Sequence, residues 1–226
     1  METISVLIPA LNEADRIVGI VRRAAEALPG QEIIVIDGGS RDATASAAAE
    51  HAVVLQSTGS RGASLNEAAE IAHGDVLLFL HADTLLPRDA QAEIDDILAG
   101  SCVAGGAFRL AFDDDSTMAR ATAAWVNARS LIFNVFLGDQ ALFVRRDVFL
   151  RAGGFRDWSL MEDLEILRRL RRFGALLMTR NAVVTSARRH MRRGWLRTTG
   201  TVWLVTWLYF FGVPTKMLTT FYRRAR

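Results

Sequence analysis

The sequence predicts an α/β protein built on a doubly wound, mostly parallel sheet. Short apolar runs, each about the length of one strand, alternate with helical patterns in three successive strand-helix units. The runs are apolar throughout, as in strands that are buried on both faces of a parallel sheet. They end abruptly in polar and often acidic residues, at the strand ends beside which open α/β sheets bind ligands.

The first two units occupy the beginning of the chain. Residues 4–8 predict a strand that Pro9 closes, and a helical pattern follows through Ala27. Residues 32–36 predict the second strand, and an alanine-rich helix then runs to about His51.

The third unit contains the central strand. Residues 53–54 suggest a short strand, and residues 59–66 form a polar, glycine-bearing loop that enters a helix at residues 67–72. Residues 76–80 are an unbroken apolar run, and residues 89–98 predict the helix after it.

The pattern changes after residue 100. Residues 103–112 predict an extended segment, residues 118–129 a helix, and residues 138–144 another strand. Residues 153–155 form a turn, and an amphipathic helix covers residues 162–173.

Composition predicts one domain, because 226 residues of which half are apolar suffice for one substantial core. A net charge of +2 does not indicate a nucleic-acid-binding protein. We divide the chain into an α/β domain of residues 1–185 and a basic, aromatic helical extension of residues 186–226. The extension contains no acid, and its basic residues are Arg188, Arg189, Arg192, Arg193, Arg197, Lys216, Arg223, Arg224 and Arg226.

The start of the chain lacks a signal peptide pattern, and residues 202–213 are too short an apolar stretch for a membrane span. Cys102 is the only cysteine, and we expect it to be a small core residue in a reducing compartment. The sequence therefore predicts a cytoplasmic protein.

Aromatic residues crowd the helical pattern of the extension. Rings beside a basic, acid-free flank favour an interfacial helix on the inner face of the cell membrane. A ligand of the protein would then be lipid-linked or presented at that surface. The alternative is that the side chains pack on the protein's own core or on a second subunit of a homo-oligomer. The apolar residues are Trp203, Leu204, Trp207, Leu208, Phe210 and Phe211.

Acidic residues recur at strand ends or helix starts on one expected edge of the sheet. They are Asp37, Asp83 and the pair Glu162 and Asp163. Carboxylates gathered in a crevice repel one another, and a divalent cation, Mg²⁺ or Mn²⁺, held together with a diphosphate relieves the repulsion.

Five motifs in order resemble the family 2 glycosyltransferases of GT-A fold, in register from Ile4 to about Phe173. They lie at residues 5–13, 35–44, 74–84, 153–155 and 162–163. The sequence His-Ala-Asp-Thr at residues 81–84, with Gly-Asp-Gln at residues 138–140, is most similar to a small bacterial subgroup called transferase 2, associated with radical-SAM and selenodomain proteins.

The resemblance implies a donor site for a nucleotide diphosphate sugar, with a UDP-sugar favoured. Pro9, Asn12 and Glu13 match the first nucleotide-contacting loop, and Asp37 matches the acid that recognises the base. Arg61 lies in a segment that contacts base or phosphate in the family.

The resemblance also implies the metal position. Asp83 matches the last acid of the Asp-x-Asp signature, but His81 stands where the first acid would be. A site with one carboxylate fewer favours a softer cation such as Mn²⁺, and His81 is a candidate ligand of that cation.

Asp163 matches the general base that deprotonates the acceptor hydroxyl for an inverting displacement, and Glu162 is the second choice. Asp139 and Gln140 either bind the acceptor or order the site, and structural capping explains them almost as well.

The start of the extension resembles the family's basic motif near the diphosphate in composition alone. Arg188, Arg189 and Arg192 are therefore candidate phosphate ligands. His190 is expected to be a surface residue more readily than a metal ligand.

Two other functions remain open. A nucleotidyltransferase of similar fold normally has a glycine-rich basic loop after the first strand, and residues 9–13 have neither glycine nor a basic residue. A nonenzymatic nucleotide-sugar-binding protein or membrane-surface scaffold would not need Asp83 and Asp163.

Overall fold

The computed structural model describes residues 1–158 and 160–225, and the side chains of these residues up to Tyr222. Arg226 and the side chains of Arg223 and Arg224 lie outside the described residues. The strands are β1 (Ile4–Ala10), β2 (Glu32–Asp37), β3 (Val53–Gln56), β4 (Val76–Phe79), β5 (Thr84–Leu85), β6 (Val103–Phe112), β7 (Phe143–Arg145) and β8 (Ala175–Thr185).

The helices connect these strands and complete the end of the chain. They are α1 (Ala14–Ala27), α2 (Thr44–Ala49), α3 (Arg61–Ile71), α4 (Ala90–Leu98), α5 (Thr117–Phe133), α6 (Arg146–Arg151), α7 (Glu162–Leu170), α8 (Arg188–Arg193), α9 (Trp195–Phe210) and α10 (Thr215–Ala225). A short 3-10 helix covers Gly138–Gln140. None of the helices in the described part of the chain is long and apolar enough to cross a membrane.

The strands form one sheet in the order β3-β2-β1-β4-β7-β6-β8-β5. The first four strands are parallel, with Leu7 of β1 opposite Ile34 on one side and Phe79 on the other. The sheet becomes mixed beyond β4, because β7 runs antiparallel to both β4 and β6. The carboxyl ends of β1, β2 and β4 therefore meet at one edge, as the sequence predicts.

Helices cover both faces of the sheet, since alternate residues of a buried strand point to opposite faces. Val6 and Ile8 pack in one core with Ile17 of α1. Leu7 lies in the other core, which also contains Val205 of α9 and Leu218 of α10. The end of the chain thus contributes buried side chains to the core behind the central strands.

The loop predicted at residues 59–66 is mostly helical. Ser60 accepts a hydrogen bond from the backbone N–H of Ala63 at 3.2 Å, and this N-cap starts α3 at Arg61. Arg61 is therefore the first residue of a helix, so its placement in a loop was wrong.

Three other expectations also need correction. Residues 138–140 form a 3-10 helix in place of a strand, because the side chain of Gln140 accepts from the backbone N–H of Leu137 at 3.2 Å. The helix predicted to Phe173 ends at Leu170. Cys102 is exposed in the turn between α4 and β6, so its assignment to the core was wrong.

Candidate active site

A cavity of about 380 Å³ lies beyond the carboxyl end of β4. It collects seven of the site candidates, together with His190, from distant parts of the chain. Its walls contain the acidic residues Asp83, Asp139, Glu162 and Asp163 together with Arg61, His81, Arg189 and His190. We call it the acidic cavity.

Asp163 is held at the start of α7 by two backbone N–H groups. Gly138 donates to its Oδ2 and Leu164 donates to its Oδ1, each at 2.8 Å. Met161 precedes the helix with φ +65°, in the left-handed region that a residue with a side chain rarely adopts. This unusual backbone sets the direction of the first turn of α7, and no sequence signal distinguishes Met161.

Glu162 is buried, and its carboxylate lies 3.0 Å from Nε of Arg61. The contact is an ion pair without hydrogen-bond alignment, since Nε has no hydrogen-bond partner. Burial raises the pKa of Glu162 to about 7, against the lowering effect of the Arg61 charge. Glu162 is therefore held by the side chain of Arg61, whereas the carboxylate of the neighbouring Asp163 is held by backbone N–H groups.

The other side of Arg61 contacts His81, because a guanidinium nitrogen donates a hydrogen bond to Nε2 of the imidazole. Burial, reinforced by the charges of Arg61 and Arg189, holds the pKa of His81 well below 6.5. The imidazole is therefore neutral near pH 7, and its Nε2 lone pair is used by Arg61.

Gly138 packs closely on this group. A Cβ at this position would lie 2.8 Å from His81 Nε2 and 3.5 Å from Asp163 Oδ2. Glycine is required here by space, because a larger residue would displace the imidazole or the carboxylate. The sequence marks Gly138 only as part of a motif, and gives no sign of this contact.

Asp139 and Gln140 have different roles in the same turn. Gln140 is buried and bonds to Ser130 Oγ at 2.9 Å and to the carbonyl of Phe108 at 3.3 Å, so it orders the turn. Asp139 faces the cavity, and its buried Oδ1 has no hydrogen-bond partner. Burial raises its pKa to about 6, opposed by the charge of Arg129.

A second cavity of about 420 Å³ adjoins the first at Asp83 and Arg189, which line both. Arginines of α8 dominate its walls, and Arg188 forms an ion pair with Glu13 at 3.1 Å. Several guanidinium groups around one space suit a bound phosphate group. Its residues are Glu13, Asp83, Arg188, Arg189, Arg192 and Arg193, of which Arg193 was not among the sequence candidates. We call it the arginine cavity.

The loops after β1 and β2 are joined to each other. The backbone N–H of Asn12 donates to Ser40 Oγ at 2.9 Å, and Asn12 accepts from the backbone N–H of Arg41 at 2.9 Å. Asp37 is buried and accepts from the backbone N–H of Ser40 at 3.2 Å. Asp37 and Pro9 lie at this edge of the sheet but do not line either cavity.

His190 is half-buried and not the surface residue that was expected. Its ring stacks on Trp195 with centroids 4.5 Å apart and meets the ring of Phe112 at 5.1 Å. Burial, with the neighbouring Arg189 charge, lowers its pKa. The ring is thus a wall of the acidic cavity between two aromatic side chains.

The described residues contain no cluster of three or more His, Cys, Asp or Glu side chains that could hold a metal alone. Asp83 nevertheless faces the junction of the acidic and arginine cavities. Mg²⁺-type sites commonly use one or two carboxylates plus substrate phosphates. The residues therefore fit a cation that is bound jointly with a diphosphate.

Residues 5–156 match the family described as Glycosyl transferase family 2. No curated protein matches the chain.

Several solved structures share its fold. A mannosyltransferase from Pyrobaculum calidifontis, in complex with GDP-Man and Mn²⁺, has a TM-score of 0.68 at 22% identity, over 90% of this chain and 62% of that one. Glucosyl-3-phosphoglycerate synthase from Mycobacterium tuberculosis, in complex with Mn²⁺, UDP and glucosyl-3-phosphoglycerate, gives 0.63 at 20% identity, over 94% and 81%. Mannosyl-3-phosphoglycerate synthase from Rubrobacter xylanophilus gives 0.52 at 22% identity, over 85% and 70%. The chain has the GT-A fold, and it spans less than two thirds of the mannosyltransferase's length.

Proposed function

We propose, since this chain belongs to glycosyl transferase family 2, that it transfers a sugar from a nucleotide diphosphate donor to a hydroxyl acceptor with inversion. One observation carries the proposal. Asp83 lies where a cavity with several carboxylates meets a cavity walled by arginines. A sugar diphosphate bound across this junction has its phosphates among the arginines and its sugar beside the acids.

The donor is bound by two groups of residues in this proposal. Arg188, Arg189 and Arg192 contact the diphosphate, and Glu13 positions Arg188 through their ion pair. The nucleoside lies on the joined loops of β1 and β2, with Asp37 at the base and Pro9 and Asn12 along the loop. A UDP-sugar is favoured over other donors.

Arg61 has a different role from the one first assigned to it. Its guanidinium is engaged by Glu162 and His81 inside the acidic cavity. It holds those two side chains in place and adds positive charge near the leaving group. In this role it does not contact the nucleobase.

Asp163 is the general base. Removing the proton from an acceptor hydroxyl lets its oxygen attack the anomeric carbon as the nucleotide diphosphate leaves, and inversion requires the base opposite the leaving group. Asp163 and Asp83 both line the acidic cavity, and only Asp83 also lines the arginine cavity. Glu162 is less suited, because its carboxylate is paired with Arg61.

A divalent cation, Mn²⁺ or Mg²⁺, would be held by Asp83 together with the donor phosphates. Such an ion neutralises charge that develops on the leaving diphosphate. His81 supports the site through Arg61, since its Nε2 already accepts a hydrogen bond. Two of the solved neighbours were determined with Mn²⁺.

We further propose that the chain belongs to the bacterial transferase 2 subgroup, and the motifs at residues 81–84 and 138–140 support this proposal. A nonenzymatic sugar-binding scaffold is less favoured, because two backbone N–H groups fix the Asp163 carboxylate in the cavity wall. A nucleotidyltransferase is less favoured, because residues 5–156 match glycosyl transferase family 2.

We also propose a peripheral position on the cytoplasmic face of a membrane containing anionic lipid. The support is a set of apolar side chains on α9 and α10 that the protein leaves exposed, beside the basic residues of the extension. They include Leu204, Trp207, Phe210, Phe211, Met217 and Phe221, each more than 40% exposed.

A thermal-shift screen tests the proposed function. UDP, GDP and dTDP, and sugars of each, are added with and without Mn²⁺, since a ligand that binds the native state raises its apparent stability. We expect stabilisation by one nucleotide class, strongest with Mn²⁺. No shift with any of them would contradict the proposal.

A further inference from the structure

A third cavity, of about 500 Å³, lies between α5 and α9. Its volume is within the range of about 300–1,000 Å³ that is typical of small-molecule sites. Most of its walls are apolar or aromatic, and the ring of Trp125 of α5 lies against the ring of Trp203 of α9, tilted by 32° with centroids 3.6 Å apart. We call it the α5–α9 cavity.

The inner end of this cavity adjoins the acidic cavity. Both are lined by Phe112, Leu137, Asp139, Val202 and Thr206, and also by Arg189 and His190. Asp139, whose Oδ1 is buried without a hydrogen-bond partner, is thus shared by the two cavities. A buried acceptor atom without a partner costs free energy unless a ligand or water donates to it.

The outer end has a different character. Phe133, Trp207 and Phe210 line the same cavity and are 66%, 53% and 59% exposed. The α5–α9 cavity therefore has exposed aromatic side chains at its outer end and borders the acidic cavity at its inner end.

From this arrangement we infer that the acceptor is a single-chain amphiphile, with its hydrocarbon chain in the α5–α9 cavity and its hydroxyl at Asp139 and Asp163. The inference rests on the proposed function, because it names the acceptor class of that reaction. A free sugar or a small phosphorylated acid would leave the α5–α9 cavity unused. A hydrocarbon chain gains free energy there with each methylene that is removed from water.

Tryptophan quenching tests the inference directly, because Trp125 and Trp203 face the cavity. The probe is bromodecanol, whose bromine quenches indole fluorescence, and bromoethanol is the short-chain control. We expect saturable quenching by bromodecanol alone. Thr122→Phe should fill the cavity from α5 and weaken binding by ~10-fold, equivalent to losing burial of about two methylenes.

Ala121→Phe is the matched control, because Ala121 is the exposed neighbour of Thr122 on the same helix and does not line the cavity. Thr199→Leu narrows the cavity from α9 and replaces Thr122→Phe if that variant does not fold. Stabilisation by UDP with Mn²⁺ is measured on every variant, so that loss of the donor site and loss of the chain site are distinguished.

Retained UDP binding without quenching by bromodecanol would overturn the inference and leave the proposed function intact. Quenching that is equal in wild type, Thr122→Phe and Thr199→Leu would place the chain on the outer surface and overturn it too. A stable dimer that does not bind bromodecanol would show that a second copy covers the cavity. This result would also overturn the inference.

Discussion

The backbone N–H of Gly138 donates a hydrogen bond to Oδ2 of Asp163 at 2.8 Å. This bond joins the turn that contains Asp139 to the first turn of α7. Because Gly138 also packs on His81, the bond connects the proposed base to the end of the central strand. Asp163 is thus oriented by the fold, whereas its neighbour Glu162 is oriented by Arg61.

Asp83→Ala should abolish the Mn²⁺-dependent part of nucleotide diphosphate binding. The reason is that Asp83 is the carboxylate shared by the acidic and arginine cavities. Calorimetric titration with UDP, with Mn²⁺ and with EDTA, measures the effect. Binding through the arginines should persist in weaker form.

The control for this variant is Asp75→Ala, at an exposed carboxylate before β4. Thermal unfolding should show that both variants remain folded. If wild type binds UDP with equal affinity with and without EDTA, the assignment of a cation to Asp83 is wrong.

The pH dependence of stability should report the burial of Asp139. Its pKa is raised in the folded protein from 3.8 to about 6, so the native state binds more protons than the unfolded state between these pH values. The stability contribution of this carboxyl therefore falls as the pH rises through that window.

Asp139→Asn removes this titration. We expect the variant to gain about 2–2.5 kcal/mol of unfolding free energy relative to wild type on going from pH 4 to pH 8. Urea denaturation at several pH values measures the difference. A difference between the two proteins that does not change with pH would refute the assignment.

Membrane binding should depend on the exposed apolar residues of the last two helices. Phe211 and Met217 are 78% and 64% exposed and do not line the α5–α9 cavity. Phe211→Glu combined with Met217→Glu should lower co-sedimentation with anionic vesicles by ~10-fold or more, because an apolar side chain gains about 1.5–3 kcal/mol on burial.

Phe173→Glu is the control, since Phe173 is 41% exposed after α7. High salt should weaken binding by the wild type, as expected for a basic surface on anionic lipid. If the wild-type protein does not pellet with vesicles at low salt, the membrane proposal is wrong.

Local sequence patterns were sufficient to predict the parallel half of the sheet. The apolar runs of β1, β2 and β4 are each hydrophobic over a strand length, and their polar ends identify the edge where Asp83 lies. The start of α3 was missed because Ser60 was read as a loop residue, although serine is a favourable N-cap.

Contacts between distant segments account for what the sequence could not predict. Glu162 and Asp163 are adjacent acids, and their different partners, Arg61 for Glu162 and the backbone N–H of Gly138 for Asp163, come from distant segments. The left-handed backbone at Met161 depends on its tertiary setting. The α5–α9 cavity requires two helices about 70 residues apart in sequence to meet, a contact that neither helix pattern contains.

The role of Asp163 is the central claim, and the rate of nucleotide release from the donor identified by thermal shift tests it most directly. Wild type, Asp163→Asn and Glu162→Gln are compared, with donor affinity measured on the same samples. We predict that Asp163→Asn keeps donor affinity and lowers turnover by ~10²-fold or more, the low end for losing a general base, with a smaller loss in Glu162→Gln. Near-wild-type turnover by Asp163→Asn, together with the larger loss in Glu162→Gln, would contradict the account and assign the base to Glu162.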